Sequence, residues 1–156
     1  MEEIFKFMTD SRRSFIDTIN GLCLEELNEV PQGYNNNIIW NFGHIIVSTP
    51  LLCYVRTGIW EDGQAIKYVN KYKKGTKPNG LIGVSELEEL KARALSSVEQ
   101  LKKDYQEGVF TSMQPFNTST YQSSLYTMED VLITCVGHDN LHYGYAKAII
   151  KSIKNK

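Results

Sequence analysis

The sequence predicts an all-α protein built as a four-helix bundle, and three observations carry that prediction. Four segments repeat apolar residues every three to four positions, two of them open on capping signals, and no stretch alternates apolar and polar residues long enough to make a sheet. With 156 residues, the chain has the size of one domain, 1–156, and can bury a substantial core.

Each helix has its own signature. Ile4, Met8, Phe15, Ile19 and Leu22 keep one face of a first helix over about residues 2–22. The segment Leu24–Pro31 adds a short turn that Pro31 and Gly33 stop. A second helix starts in Asn35-Asn36-Asn37, whose amides can cap free N–H groups, and runs towards Gly58; Pro50 kinks it or ends it early. The third opens on Ser85-x-x-Glu88, a capping box, and repeats Leu87, Leu90, Ala94, Val98, Leu101 and Tyr105. The fourth opens on Thr127-x-x-Asp130 and repeats Met128, Leu132, Cys135, His142, Ala146, Ile149 and Ile153. The connections 58–84 and 106–126 far exceed the ~2–8 residues usual in bundles. They are expected to be crossovers between parallel neighbours, or walls of a site.

Composition narrows the function classes. Lys and Arg number 17 against 18 Asp and Glu, so no global field draws in nucleic acid. The lysines at 67, 71, 73, 74 and 77 lack an accompanying arginine and read as a solvated loop. Between Val30 and Val55 there is no Lys, Arg, Asp or Glu. This stretch is interrupted by Asn41, His44, Ser48, Thr49 and Pro50, which favours a buried core helix over a membrane span. Three cysteines without a C-x-x-C and an acidic start, Met1-Glu2-Glu3, fit a reducing compartment and no signal peptide. The expectation is a cytoplasmic protein with no nucleic-acid or membrane partner.

The three histidines carry the chemistry. His138 and His142 stand at i and i+4, with Cβ atoms ~5–6 Å apart on one helical face. They lie on the apolar stripe and point inward. His44 falls midway along the most apolar helix, in phase with Asn41 and Ser48. A lone inward histidine is ordinarily a core residue with one hydrogen bond. Three together, from two helices, match the ligand set of an open metal site. Imidazole ligation favours zinc or nickel, with iron and manganese as alternatives. Asn41 either bonds a ligand or metal-bound water, or bonds the chain within the core. Cys135, one turn before His138, reads as a small hydrophobe rather than a nucleophile or fourth ligand. His138-Asp139-Asn140-Leu141-His142 has the spacing of a zinc-protease motif but lacks its glutamate.

The segments Asn37-Ile38-Ile39-Trp40-Asn41-Phe42-Gly43-His44-Ile45 and Gly137-His138-Asp139-Asn140-Leu141-His142-Tyr143-Gly144 resemble those of the DinB-like family. The resemblance spans nearly the whole chain. It implies an up-down-down-up bundle, a divalent metal on His44, His138 and His142, and a homodimer, to which the apolar second helix is also expected to contribute. Characterised members include thiol S-transferases that use bacillithiol, mycothiol or glutathione, and a maleylpyruvate isomerase. The reading that follows is a metal-dependent thiol S-transferase-like enzyme acting on a small molecule with a low-molecular-weight thiol as cosubstrate. The alternatives are a metal-dependent hydrolase and a non-catalytic ligand-binding or stress protein. Tyr145 stands where family members commonly carry glutamine, which puts any shared substrate contact there in question.

Overall fold

A computed structural model describes residues 1–155. Four long helices dominate: α1 (Glu2–Asn20), α3 (Ile38–Pro50), α5 (Val84–Gln106) and α6 (Met128–Lys154), with short helices α2 (Leu24–Asn28) and α4 (Val69–Tyr72) between them. The helix starts follow local chemistry. Asn37 caps α3 by accepting from the Trp40 N–H, and Thr127 with Asp130 closes a reciprocal capping box on α6.

Two expectations are corrected. The third helix does not start on Ser85: Gly83 is its N-cap, in extended backbone and with no side-chain cap, so Ser85 lies inside the first turn. A small antiparallel hairpin, β1 (Phe116–Thr118) and β2 (Ser123–Leu125), interrupts the otherwise helical chain, with Phe116 opposite Leu125 and Thr118 opposite Ser123. Its strands are three residues each, too short to register as an alternating pattern. It is held by burying Thr118 and Leu125.

Pro50 ends the regular part of α3 but not the winding. The next residues, Leu51–Val55, form a π-helical turn in which the Arg56 N–H reaches back five residues to the Leu51 carbonyl at 2.9 Å. Proline has no N–H to give an α-helical bond, and the regular helix ends on it. The segment Ile38–Val55 is long and apolar enough to cross a membrane, yet 78% of it is buried against the rest of the chain. That is how a core helix is placed.

The core falls into two clusters. One gathers Phe15, Ile19, Phe42, Ile45, Leu90 and Ile149; the other gathers Phe5, Met8, Tyr54, Leu101, Met128 and Leu132. Of the predicted stripe of α5, Leu87, Leu90, Ala94, Val98 and Leu101 are buried, and Tyr105 at its end is partly buried.

Between the clusters lies a polar layer. Arg12, fully buried, donates from Nε to Asp139 Oδ2 at 2.8 Å and from Nη1 to the Ala94 carbonyl and Ser97 Oγ, each at 2.9 Å. Its Nη2 donates to Thr49 Oγ1. One guanidinium therefore ties α1 to α3, α5 and α6. Most of its donors are satisfied, as a buried cation requires.

Candidate metal centre

His44 is placed by α3, and His138 and His142 by successive turns of α6. Their ring centroids stand 4.5 Å apart for His44 and His142, 4.6 Å for His138 and His142, and 5.1 Å for His44 and His138. One nitrogen from each converges with the others to within 4.8 Å. Among the described residues these three are the only such group.

The far sides of two rings are fixed by the protein. His44 Nδ1 lies 2.6 Å from the carbonyl of Tyr72, which can only accept, so Nδ1 carries the proton and Nε2 keeps its lone pair. Ser48 donates to that Nε2 over 3.3 Å. His142 Nδ1 donates to Asn41 Oδ1 at 2.8 Å, while Asn41 Nδ2 donates to the Asn37 carbonyl at 2.8 Å. That second bond fixes which end of the amide faces the histidine. Fixing one ring nitrogen this way selects the tautomer a metal ligand needs. Asn41 is buried and its amide is engaged at both ends, by His142 and by the Asn37 carbonyl.

Packing holds His44 as well. Trp40 stacks on its ring at 4.7 Å and is itself anchored through Nε1 to Thr76 Oγ1. Gly43 sits under the Tyr72 ring, where a Cβ would come within 2.6 Å of ring carbons. Absence of a side chain at Gly43 thus lets Tyr72 approach and present its carbonyl to His44. The Tyr72 hydroxyl donates to Glu86, tying the same residue to α5.

The cluster is held neutral. Burial lowers all three histidines below the usual imidazole value; His138 falls to about 4, helped by His44 and Arg12, and His142 to about 3, helped by the other two rings. Neutral imidazole is the form that binds a metal.

A cleft of about 510 Å³ opens onto the histidines. Leu51, Leu52 and Val55 of the π-turn form one part of its wall, and residues 116–120 at the hairpin form another. Arg56 and Lys74 complete it. Sequence reading missed both cations, because Lys74 lay in a lysine-rich loop and nothing local sets Arg56 apart. Lys67 and Lys71 of that loop pair with Glu89 and Glu86 instead. It also missed the inward placement of Arg12 and Asp139, although Arg12 follows Met8 by one helical turn on the buried stripe. Cys135 packs against Cys53, sulfur to sulfur at 3.7 Å, and contributes no atom to the histidine cluster.

A mostly helical chain with three inward histidines at the head of a cleft defines a helical protein with a candidate metal centre. Residues 8–146 match the DinB superfamily, and the chain belongs to it. No curated protein matches the chain.

Proposed function

We propose that the chain is a single-domain, metal-binding four-helix bundle in which His44, His138 and His142 hold one divalent ion, and that it acts as a thiol S-transferase-like enzyme on a small molecule. The observation that carries this is the convergence of three imidazole nitrogens at the head of a cleft, two of the rings pinned through Nδ1. The donor set fits zinc or nickel, with iron and manganese as alternatives. Three protein nitrogens leave coordination positions open, the pattern of catalytic rather than structural sites. Bound there, such an ion would lower the pKa of a low-molecular-weight thiol and favour its thiolate, because neutral ligands leave its charge uncompensated.

The chain's own residues do the rest. Tyr72 and Asn41 hold the two pinned rings in the ligating tautomer. Trp40 closes one side of His44 against water. Leu51, Leu52 and Val55 supply apolar surface for a carbon skeleton. Among the described residues no Asp or Glu lines the cleft, so a hydrolase would lack the carboxylate base that commonly activates water.

We further assign the bundle an up-down-down-up order. Pairing of Phe5 with Tyr105 and Arg12 with Ala94 supports antiparallel α1 and α5; Ser11 with Asn140 and Thr18 with Tyr143 supports parallel α1 and α6; Asn41 with His142 and Cys53 with Cys135 supports antiparallel α3 and α6. In the homodimer we include in this proposal, Ile133 and Tyr145, exposed on α6, supply apolar surface; α3 is already buried within its own chain. Three free cysteines fit a cytoplasmic setting.

The test is a screen of zinc-loaded protein with cysteine, glutathione and bacillithiol against the fluorogenic electrophile monochlorobimane. Conjugation above the uncatalysed rate, lost in folded His138→Ala, is the expected result. Zinc-loaded protein that conjugates none of them would overturn the transferase reading.

A further inference from the structure

Arg56 and Lys74 stand on the wall of the histidine cleft, and among the described residues neither is in an ion pair with a carboxylate. Both reach the hairpin side of the wall. Arg56 Nη2 donates to the Asn117 carbonyl at 2.9 Å, and its guanidinium lies over the Phe116 ring at 5.0 Å. Lys74 Nζ donates to Ser119 Oγ at 2.9 Å. Each bond uses one donor. A guanidinium has five N–H groups and an ammonium three, so both retain donors for a ligand.

The charge balance is one-sided. The cleft carries two cations and no Asp or Glu, although the chain as a whole has one more acid than base. A bound divalent ion would add positive charge. The remaining wall is largely apolar, with Leu51, Leu52, Val55 and Leu141. A positive cleft with apolar flanks suits an organic acid better than an inorganic anion, which would leave the apolar surface uncovered.

We propose that the cleft selects a small organic molecule bearing a carboxylate, which Arg56 and Lys74 bind while its metal-seeking group lies at the histidines. This rests on the metal reading above for the second half only. The carboxylate subsite uses residues that touch none of the three histidines through a hydrogen bond.

Two thiols that differ in charge test it. Isothermal titration of the zinc-loaded full chain with mercaptosuccinate and with 1-thioglycerol should show the dicarboxylate binding about tenfold tighter or more, in keeping with charge-assisted hydrogen bonds in a cleft. Lys74→Gln and Arg56→Gln should each weaken mercaptosuccinate severalfold. They should leave thioglycerol affinity and zinc content unchanged. Arg56→Lys should recover most of the loss, which separates charge from the hairpin anchor. Raising salt should narrow the gap between the two thiols. Equal affinities in the wild type, or a preference that survives in the double glutamine variant, would overturn the proposal.

Zinc content, measured on the same samples, reports separately on the histidines. If wild-type protein takes up no zinc, titration with succinate decides the carboxylate subsite alone. Binding that is lost in the double glutamine variant supports it, and no binding by the wild type overturns it.

Discussion

His138 and Asp139 are neighbours on α6 and both are buried, yet they serve opposite ends. Asp139 turns to the waist of the core, where its Oδ2 accepts from Arg12, its Oδ1 has no hydrogen-bond partner among the described residues, and four helices share one guanidinium. His138 turns to the head of a cleft, where its partners are two further rings and open space. The first arrangement spends its polar groups on the fold. The second buries three imidazoles together and turns their nitrogens toward one another, with only the 3.3 Å Ser48 contact on His44 Nε2. The comparison teaches that burial alone does not mark a functional residue; what matters is what the buried group faces, another group of the chain or open space.

The largest effect expected from breaking this comparison is on the closed side. Removing one partner of a buried ion pair leaves the other unpaired and costs about 3–5 kcal/mol. Asp139→Ala and Arg12→Ala should each lower stability by that amount in urea denaturation. A replacement of both by apolar residues should recover much of it, since no charge is then stranded. A loss under about 1 kcal/mol for either single variant would show that the pair does not organise the core.

A smaller effect is expected at Gly43. Its Cβ would press into the Tyr72 ring, and overpacking of this kind costs about 1–3 kcal/mol, more than the roughly 1 kcal/mol of helix propensity that alanine returns. Because Tyr72 carries the carbonyl that orients His44, Gly43→Ala should also weaken zinc affinity. Unchanged zinc affinity in a destabilised Gly43→Ala protein would separate packing from ligand orientation.

The pH response of the protein without added metal tests the open side of the comparison. His138 and His142 have folded values near 4 and 3, below the ordinary ~6.5 of a free imidazole. The unfolded chain therefore takes up protons that the folded one refuses. Their contribution to stability is complete above pH ~6.5 and is lost as pH falls from there towards 4. Urea midpoints measured between pH 7 and 4.5 should decline, and decline less in the His138→Ala/His142→Ala double variant. Parallel curves would contradict the buried, neutral cluster.

Much of this was legible in the residues. The helical phases of Leu87 to Leu101, the Asn37 and Thr127 caps, and the i,i+4 pair of histidines are local signals, and local signals survive folding. What was not legible is non-local. Ser85 has the spacing of a cap, but the extended backbone of Gly83 starts α5 earlier. Arg12 lies on the apolar stripe of α1, and the partner that lets its charge be buried there, Asp139, stands 127 positions away. The hairpin strands are too short for a periodic signal, and Lys74 gains its meaning only when the hairpin brings Ser119 beside it. For Asn41 the sequence left ligand and core equally open; its hydrogen bonds to Asn37 and His142 exist only once α3 and α6 are packed together.

The central claim, that the open side of α6 is a metal centre, is tested most directly by metal content. Folded wild type and His44→Ala, His138→Ala and His142→Ala are loaded with zinc, dialysed and assayed by mass spectrometry. Wild type should retain about one zinc per chain, as expected of a three-histidine site, and each variant a small fraction of that. Acidification to pH 4.5 should release the wild-type zinc, because protons then compete for the ligating nitrogens. Equal zinc in all four proteins, or none in any, would mean that the three histidines are packing residues and the cleft is not a metal site.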